Sequence, residues 1–388
     1  MTIRPIHPFP ARMAPEILNS ILSSLGEKSV ILDPMTGSGT VIRNALHYNH
    51  SPIGIDKDPL AVLLSKVWTS SIDEKELKEI GSEVFLKASE DITNADSFIQ
   101  DAGTLTFVKF WFAEEQRNDL AKLSNAINKY GGPVADALRV AMSRLIITND
   151  KGASLAKDVS HSRPHKKGCT NEFNVLNNFT KSVNFLCKRI KENKIITPAR
   201  VEEGDSRALS SIENSSIDAV ITSPPYLNAV DYMRGHKMTL VWLGHDVKSL
   251  TTIRSNSIGA ERQPDAYERT QIFQGLTSEI GDIHKLDNKL QKMIHRYAFD
   301  MYAMIGESKR VLKDGAQATF VIGNSCLRGN FVKNTEILKN AALLHGLKLI
   351  GETERDLPPN KRYLPPPSAE TAGIQNRMRT ESIITFKK

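Results

Sequence analysis

The sequence is poor in cysteine and has no long hydrophobic run, and both absences narrow the class of protein. Its three cysteines, Cys169, Cys187 and Cys326, lie far apart without a CxxC pair. This spacing excludes a disulfide framework and the usual structural zinc sites, and it fits a reducing, cytoplasmic compartment. No stretch approaches the roughly eighteen consecutive apolar residues of a membrane helix. The N-terminus lacks the apolar core of a signal peptide, so we expect neither a membrane span nor secretion.

The overall composition is that of an ordinary soluble protein. Of the 388 residues, 40% are hydrophobic and 24% are charged, which suffices for one large domain with insertions or for two domains. The net charge of +7 suits a polyanionic partner, but many enzymes are equally basic. The charge alone therefore discriminates little among functions.

The first hundred residues contain a βαβ pattern. A short apolar strand, Val30 to Leu32, is followed by a glycine-rich turn, a helical segment from Val41 to His47, and a second strand, Ile53 to Ile55. This order implies parallel strands joined by right-handed crossovers. Further strands are predicted in the segments ITPARVEEGDSRAL, SIDAVITSPPY, KRVLKDGAQATFVIGN, HGLKLIGETE and ESIITFKK. We therefore predict an α/β fold with a doubly wound, mainly parallel sheet.

Two long segments interrupt the strand pattern. Residues 107–194 show mainly helical spacing and contain the basic run SHSRPHKKG, whereas residues 228–300 lack strand alternation and are rich in Arg, His and Lys. We predict catalytic-domain parts at 1–106, 195–227 and 301–388, a helical insertion at 107–194, and a basic loop and helix segment at 228–300. The two inserted segments are the candidates for substrate recognition.

The glycine-rich turn LDPMTGSGT is typical of a loop that approaches a ligand closely. Gly37 and Gly39 allow the backbone to come near the ligand, and the first turn of the next helix offers free N–H groups. The dinucleotide pattern GxGxxG fails because its third glycine position is Ile42. No Gly-Lys-Ser/Thr follows either, so a pyrophosphate or triphosphate ligand is disfavoured.

An aspartate ends each of the first two strands. Asp33 favours a ligand with a cationic or amino group, and Asp56 is placed to accept hydrogen bonds from ribose hydroxyls. Taken singly, Asp33 fits a helix cap and Asp56 fits a solvated turn just as well. The two aspartates indicate a ligand site only in combination with a second motif.

That second motif is the end of a later strand, where an apolar run stops at Ser223, Pro224, Pro225 and Tyr226. The prolines fix φ and donate no hydrogen bond, which leaves a stiff rim of carbonyl acceptors beside an aromatic ring. Such a rim suits a flat ligand that carries an amino group. The alternative is that the prolines only terminate a strand and that Tyr226 packs into the core.

Together the two motifs resemble those of the S-adenosylmethionine-dependent amino-methyltransferases of DNA. The family's first motif, Asp-Pro-(aromatic or Met)-x-Gly-Ser-Gly-Thr, is matched by Asp33, Pro34, Met35, Gly37, Ser38, Gly39 and Thr40. Its catalytic motif, (Asp/Asn/Ser)-Pro-Pro-(Tyr/Phe), is matched by Ser223 to Tyr226. The resemblance covers the predicted sheet elements and leaves the two insertions uncovered. It implies a Rossmann-like methyltransferase fold, S-adenosylmethionine as cofactor, double-stranded DNA as partner, and no metal.

The resemblance also implies roles for residues outside these two motifs. Asp205 in EEGDSRAL, with the following Ser206, would bind the adenine ring of the cofactor. Phe9 and Pro10 in the N-terminal HPFPARM would line the methionine end. These assignments complete the predicted cofactor site together with Asp56.

Methylation of an exocyclic amine needs no covalent enzyme intermediate, because the amine attacks the methyl group directly. Acceptors on the amine hydrogens favour the nucleophilic, pyramidal nitrogen, and Ser223 and the Pro224 carbonyl are the predicted acceptors. Tyr226 would stack on a base rotated out of the duplex. In the family that the motifs resemble, serine at the first position of the catalytic motif is associated mostly with cytosine N4 and aspartate with adenine N6, so the resemblance implies cytosine N4. Methylation at carbon 5 is disfavoured because it needs a cysteine nucleophile after a proline, and the sequence has none.

The candidate DNA contacts lie in the two insertions. The predicted set after the catalytic motif is Asn228, Tyr232, Arg234, His236 and Lys237, and the set on the basic loop is Arg163, His165, Lys166 and Lys167. We place Arg254 and Arg262 on the same surface as the first set. For the basic loop, a merely solvated surface loop is an equally good interpretation.

Three other functions stay open at this stage. The chain could methylate adenine N6, it could act on RNA or a protein amide, or it could bind DNA with an inactive methyltransferase fold. The intact motifs argue against the inactive alternative. A cytoplasmic location and a companion restriction enzyme fit the resemblance, whereas the recognition sequence and the oligomeric state leave no mark in the sequence.

Overall fold

A twisted sheet with helices on both faces forms the catalytic part of the molecule. The computed structural model describes residues 3–10, 12–149, 151–192, 195–227, 231–259, 271–357 and 380–388. The strands are β1 Val30–Asp33, β2 Ser51–Asp56, β3 Ala156–Lys157, β4 His165–Lys166, β5 Arg200–Glu203, β6 Ile217–Thr222, β7 Leu312–Ile322, β8 Ser325–Leu327, β9 Asn330–Val332, β10 Lys348–Asp356 and β11 Thr380–Lys387.

The α-helices alternate with these strands and also fill the long segment between β2 and β5. They are α1 Pro15–Ser24, α2 Thr40–His47, α3 Pro59–Trp68, α4 Glu74–Glu90, α5 Ala95–Phe98, α6 Ala102–Trp111, α7 Glu114–Ile127, α8 Gly132–Ile146, α9 Val175–Glu192, α10 Tyr232–Leu240, α11 Val247–Ser255, α12 Gln271–Leu276, α13 Asn288–Val311 and α14 Asn334–Leu344. Short 3-10 helices occupy Val159–His161, Val241–Leu243 and Ile283–Lys285.

The large sheet has seven strands in the order β10-β11-β7-β6-β1-β2-β5. Its central pairs, β5 with β2, β2 with β1, β1 with β6 and β6 with β7, are parallel, whereas β11 runs antiparallel to both β7 and β10. The chain moves outward in one direction from β1 and later returns to β6 on its other side. This arrangement confirms the predicted doubly wound, mainly parallel sheet, and it creates a topological switch point between β1 and β6.

The central strands are apolar at consecutive positions because both of their faces are buried. Ile31 and Ile221 lie in a core cluster beneath α1 and α2, whereas the adjacent Leu32 and Val220 lie in the cluster beneath α13 and α14. Successive side chains of a strand point to opposite faces, so a strand covered on both sides needs apolar residues throughout. The short apolar runs that predicted these strands have this origin.

Helices α4 to α9 pack mainly on one another and on α3. Glycine at position 81 allows the approach of α4 to α9, since a Cβ there would lie 2.8 Å from Val183 Cγ1. The helical part of the chain already includes α4, α5 and α6, so it begins before residue 107, where the sequence pattern placed it. No helix among the described residues is both long and apolar enough to cross a membrane.

Two leucines on α4 offer a matched test of this helical core. Leu77 is 0% exposed, whereas Leu86 is 58% exposed. We expect Leu77→Ala to lower the free energy of unfolding by about 2–5 kcal/mol, and Leu86→Ala to change it by less than about 0.5 kcal/mol. Both substitutions change helix propensity equally, so the difference reports burial. Denaturant midpoints of the two variants measure it, and equal midpoints would contradict the packing described for α4.

Candidate functional site

The glycine turn follows β1 and needs both of its glycines. Gly37 and Gly39 have left-handed φ angles of 52° and 87°. A Cβ at Gly39 would lie 2.7 Å from Ser65 Oγ, and one at Gly37 would lie 3.3 Å from Phe9 Cε1. Gly39 is also the N-cap of α2. A side chain at either position would therefore strain the backbone and displace the wall of the turn.

The two strand-end aspartates are built into this turn. Asp33 is buried and accepts hydrogen bonds from Thr222 Oγ1 at 2.7 Å and from the Met35 amide at 3.2 Å. Asp56 accepts from the amide of Gly37 at 2.8 Å and from the amide of Asp58 at 2.9 Å. Each carboxylate keeps lone pairs for a further donor.

Burial shifts the protonation of both aspartates. It raises the pKa of Asp33 to about 7. Burial, and to a smaller extent the neighbouring Asp58, raises the pKa of Asp56 to about 6. A buried carboxylate is destabilised by the loss of water, so a cationic or hydroxyl-bearing ligand that reaches these oxygens regains part of that free energy.

The second motif forms a lip beside the turn. β6 ends at Thr222 between β1 and β7, and Ser223 then donates from Oγ to the Val321 carbonyl at 2.9 Å. Because this bond uses the only hydroxyl proton, the Ser223 oxygen is left to act as an acceptor. Tyr226 is half-buried, and its hydroxyl lies 3.4 Å from Glu381 Oε2. Burial raises the pKa of the Tyr226 phenol, which keeps it protonated.

The turn and the lip face one cavity of about 950 Å³. This volume lies in the upper part of the range of roughly 300–1,000 Å³ for ligand pockets. The predicted residues that line it are Phe9, Asp33, Pro34, Met35, Gly37, Ser38, Thr40, Asp56, Arg163, Asp205, Ser206, Ser223, Pro224, Pro225, Tyr226, Tyr232, Arg234 and Arg254. The predicted residues outside its lining are Pro10, Gly39, His165, Lys166, Lys167, His236 and Lys237. Asn228 and Arg262 lie outside the described residues.

Asp205 forms the side of the cavity beyond β5, where two cations hold it. Arg207 donates from Nε to Oδ1 at 2.9 Å and from a terminal nitrogen to Oδ2 at 2.7 Å, and Lys57 Nζ lies 2.7 Å from Oδ2. Burial acts to raise the pKa of Asp205, but the hydrogen bonds from Arg207 and Lys57 outweigh it and hold the pKa well below its usual range. The carboxylate is therefore charged, and most of its acceptor sites are already used.

Sequence reasoning missed Lys57 and Arg207, both of which line the cavity. Their positions carried a signal, since Lys57 directly follows Asp56 and Arg207 stands two residues after Asp205. Arg207 also donates to Asp300 at 2.6 Å. Asp300 lies on α13, so the cation ties the cavity wall to the helix layer.

Helix α10 forms another wall, on which Tyr232 and His236 lie one turn apart. The ring of Phe9 stacks on Tyr232 with a centroid distance of 5.3 Å and lies 5.4 Å from the His236 ring. His236 is buried, and its Nδ1 lies 2.5 Å from Asp58 Oδ2. The structure thus places His236 behind Phe9 and against the N-cap of α3, rather than in the cavity lining.

The basic loop connects the two-residue strands β3 and β4 and reaches the same cavity at its tip. Ser162 donates to the Tyr232 carbonyl at 3.2 Å, which fixes the loop against α10. Arg163 lines the cavity, whereas His165 and Lys166 are exposed on β4, with Lys166 Nζ 4.4 Å from the Phe110 ring centroid. The loop therefore presents Arg163 to the cavity, whereas the basic residues that follow Arg163 in the loop lie outside the cavity lining.

A second group of cations lies along the rim next to α10. Arg234 and Arg254 both contact Asp231 Oδ2, at 3.1 Å and 2.5 Å. Burial, and to a smaller extent Arg254, lowers the pKa of Lys237. Three cations near one acid leave a net positive rim, which favours an anionic partner.

The residues that the structure describes contain no group of three or more His, Cys, Asp or Glu side chains arranged to hold a metal ion. The polar groups of the cavity are instead backbone amides, hydroxyls, carboxylates and cations. Together with the sheet order, they define an α/β protein with a polar cavity at the topological switch point of its sheet.

Comparison with known proteins finds DNA methyltransferases among the similar sequences. No family model matches the chain. It is 22% identical to the Type II methyltransferase M.MvaI of Kocuria varians over 98% of this chain and 90% of that protein. It is also 22% identical to M.BsoBI of Geobacillus stearothermophilus over 82% of this chain and 73% of that one. These similarities support the predicted resemblance to the S-adenosylmethionine-dependent DNA methyltransferases and the predicted cofactor, S-adenosylmethionine.

Solved structures share the general architecture only. An S-adenosylmethionine-dependent methyltransferase from Methanosarcina mazei is 10% identical with a TM-score of 0.34, over 97% of this chain and 99% of that one. A TehB-like methyltransferase from Corynebacterium glutamicum is 9% identical with a TM-score of 0.32, over 97% and 89%. TM-scores this low support no conclusion about the fold beyond the sheet order described above.

Proposed function

We propose that the protein transfers a methyl group from S-adenosylmethionine to an exocyclic amine of a base in double-stranded DNA, and that this amine is cytosine N4. The observation that carries the proposal is the single cavity that joins the glycine turn of β1 to the Ser-Pro-Pro-Tyr lip of β6. In this cavity the glycine turn, which suits a nucleoside cofactor, faces the lip, which offers hydrogen-bond acceptors for an amine. The Type II methyltransferase relatives support it.

The residues of the glycine turn fit the cofactor. Thr36, Ser38 and Thr40 each have a buried hydroxyl oxygen without a hydrogen-bond partner among the described residues. Buried polar atoms are normally paired, so these hydroxyls fit a ligand with polar groups. In the proposal, Asp33 binds the ammonium group of the cofactor, Asp56 accepts from its ribose hydroxyls, and Phe9 covers its methionine end.

At the lip, the chain holds the amine and excludes water from it. The cofactor supplies an electrophilic methyl group. Ser223 Oγ and the Pro224 carbonyl accept the two amine hydrogens, which stabilises the nitrogen as positive charge develops on it. The two prolines hold these acceptors in place, and Tyr226 stacks on the base after it leaves the duplex. In this proposal, Arg234 next to α10 and Arg163 at the tip of the basic loop contact the DNA backbone.

Mass spectrometry of nucleosides from treated DNA tests the function directly. We expect N4-methylcytosine to accumulate in a time- and cofactor-dependent manner. The appearance of N6-methyladenine would transfer the proposal to adenine, on the same residues. Cofactor binding without methylation of either base would favour the inactive DNA-binding alternative. A cytoplasmic location and a companion restriction enzyme stay predictions from the sequence.

The raised pKa of Asp33 predicts that cofactor binding depends on pH. The carboxylate must be charged to bind an ammonium group, and burial raises its pKa to about 7. Because a raised pKa means that the charge is lost as the pH falls, we expect the affinity to drop about tenfold between about pH 7.5 and pH 5.5. Isothermal titration calorimetry across this range measures the effect.

The variant Asp33→Asn provides the control for this pH dependence. It should bind the cofactor weakly at every pH, with an affinity that falls by no more than about fourfold over the same range, which is the share expected from protonation of Asp56. A wild-type affinity that does not change with pH, or an Asp33→Asn variant with the wild-type profile, would assign the ammonium to another residue.

A further inference from the structure

A polar residue that no motif includes stands next to the lip. Asn324 follows β7, two residues beyond Ile322, and β7 is the strand to which Ser223 is hydrogen-bonded through Val321. Asn324 lines the same cavity as Ser223, Pro224 and Tyr226. Its side chain is therefore placed where a base held at the lip would present its edge.

The direction of the Asn324 amide is fixed. Its Oδ1 accepts hydrogen bonds from the backbone amide and the hydroxyl of Thr335, both at 3.1 Å. A backbone N–H can only donate, so the oxygen rather than the nitrogen must face Thr335. The Nδ2 group has no partner among the described residues, and the side chain is half-exposed. The residue thus offers an oriented hydrogen-bond donor in the cavity.

The backbone around Asn324 is anchored on both sides. Asn334, the first residue of α14, is buried and donates from Nδ2 to the Gly323 carbonyl at 2.9 Å and to Ser325 Oγ at 2.8 Å. Ser325 Oγ in turn donates to the carbonyl of Leu227 at 2.6 Å, immediately after the lip. These bonds fix the position of the Asn324 donor relative to the acceptors of the lip.

We propose that Asn324 donates a hydrogen bond from Nδ2 to the ring nitrogen that neighbours the reacting amine of the base. The inference rests on the proposed function and names the residue that reads the edge of the target base. Cytosine and adenine each carry an acceptor nitrogen beside the exocyclic amine, at N3 and N1 respectively. Thymine and guanine carry an N–H group at the corresponding position, which an amide donor repels. Two acceptors at the lip and one donor from Asn324 therefore match cytosine or adenine, and they reject thymine and guanine, which carry a carbonyl beside an N–H group at these positions.

The substitution Asn324→Asp tests the donor with little change of shape. The aspartate keeps an oxygen for Thr335 and replaces the Nδ2 donor by an acceptor that faces the ring nitrogen. We expect kcat/KM for DNA to fall about fiftyfold, and about tenfold in Asn324→Ala, with the affinity for S-adenosylmethionine within about twofold of wild type. Retained cofactor binding shows that the variants are folded. Half-buried Asn330 at the start of β9 offers a matched control, Asn330→Asp, which adds the same charge outside the cavity lining and should leave kcat/KM unchanged.

A modified base separates a direct contact from a structural role. The probe is an oligonucleotide that contains the methylation site found by sequencing host DNA, with the target cytosine replaced by 3-deazacytosine, in which a C–H group stands in place of N3. The wild-type enzyme should lose about tenfold more activity on this substrate, relative to the unmodified one, than Asn324→Ala does. Any change in the intrinsic reactivity of the amine affects both enzymes and cancels in the ratio. If adenine is the target, 1-deazaadenine takes the same place.

Equal losses for the wild type and the Asn324→Ala variant would overturn the inference while leaving the methyltransferase function intact. A wild-type enzyme that methylates no base at all would instead refute the proposed function. The two failures are therefore distinguishable in the same set of assays.

Discussion

Tyr226→Ala is expected to lower kcat for DNA methylation about a thousandfold while cofactor affinity stays within a few-fold of wild type. Base stacking on an aromatic ring contributes about 1–3 kcal/mol, and a reacting group displaced by about 1 Å can cost a further hundredfold. Tyr226 lines the cavity at the lip, whereas the acids proposed for the cofactor lie on β1 and β2. Single-turnover kinetics measures the loss, and calorimetry measures cofactor binding.

The control for Tyr226 is Tyr226→Phe. The hydroxyl makes a long contact, 3.4 Å from Glu381 Oε2, so its removal should reduce kcat by less than about threefold. A Tyr226→Ala variant that methylates DNA at the wild-type rate would eliminate the stacking role. A large loss in Tyr226→Phe would point instead to the hydroxyl.

The second large effect concerns Asp56, whose replacement by alanine should weaken S-adenosylmethionine binding at least about a hundredfold. Hydrogen bonds to a charged group contribute about 1.5–3 kcal/mol each, and in our proposal the carboxylate accepts from two ribose hydroxyls. The variant also removes the acceptor for the Gly37 amide, 2.8 Å from Asp56 Oδ2, and so loosens the glycine turn. Both consequences act in the same direction.

Glu203 supplies a matched control for Asp56. It pairs with Asp56 in register at the end of the neighbouring strand β5, but it is exposed and does not line the cavity. Glu203→Ala should therefore leave cofactor affinity unchanged. Calorimetry that shows unaltered binding by Asp56→Ala would overturn the assignment of this acid.

The strands and the lip could be predicted from the sequence because their signals are local. A strand buried on both faces must be apolar at consecutive positions, and residues 30–32 and 219–221 satisfy this within a few letters. Aspartates that end such strands then have to lie at the carboxyl edge of the sheet. The two motifs indicated which family the chain resembles, and the sheet order confirmed the predicted fold.

The remaining parts of the site depend on contacts between distant segments. The roles of Lys57 and Arg207 emerge only when β2 and β5 become neighbours, and the orientation of Asn324 depends on Thr335 at the start of α14. Closeness to the catalytic motif in the sequence also does not determine which basic residues line the cavity. His236 lies close to the catalytic motif along the chain, yet the folding of α10 turns it toward Asp58. Burial of a particular side chain is a tertiary property, which a single sequence does not encode locally.

The hydrogen bond from Thr222 to Asp33 and the one from Ser223 to Val321 come from adjacent residues that face opposite neighbouring strands. One peptide unit, about 3.8 Å between consecutive Cα atoms, thus separates the part of the chain that touches the proposed donor site from the part that forms the proposed acceptor site. Covalent geometry fixes the spacing between Thr222 and Ser223, so a hinge motion between these two residues cannot open or close the site. Any gating of the reaction must come from the walls of the cavity or from the incoming base.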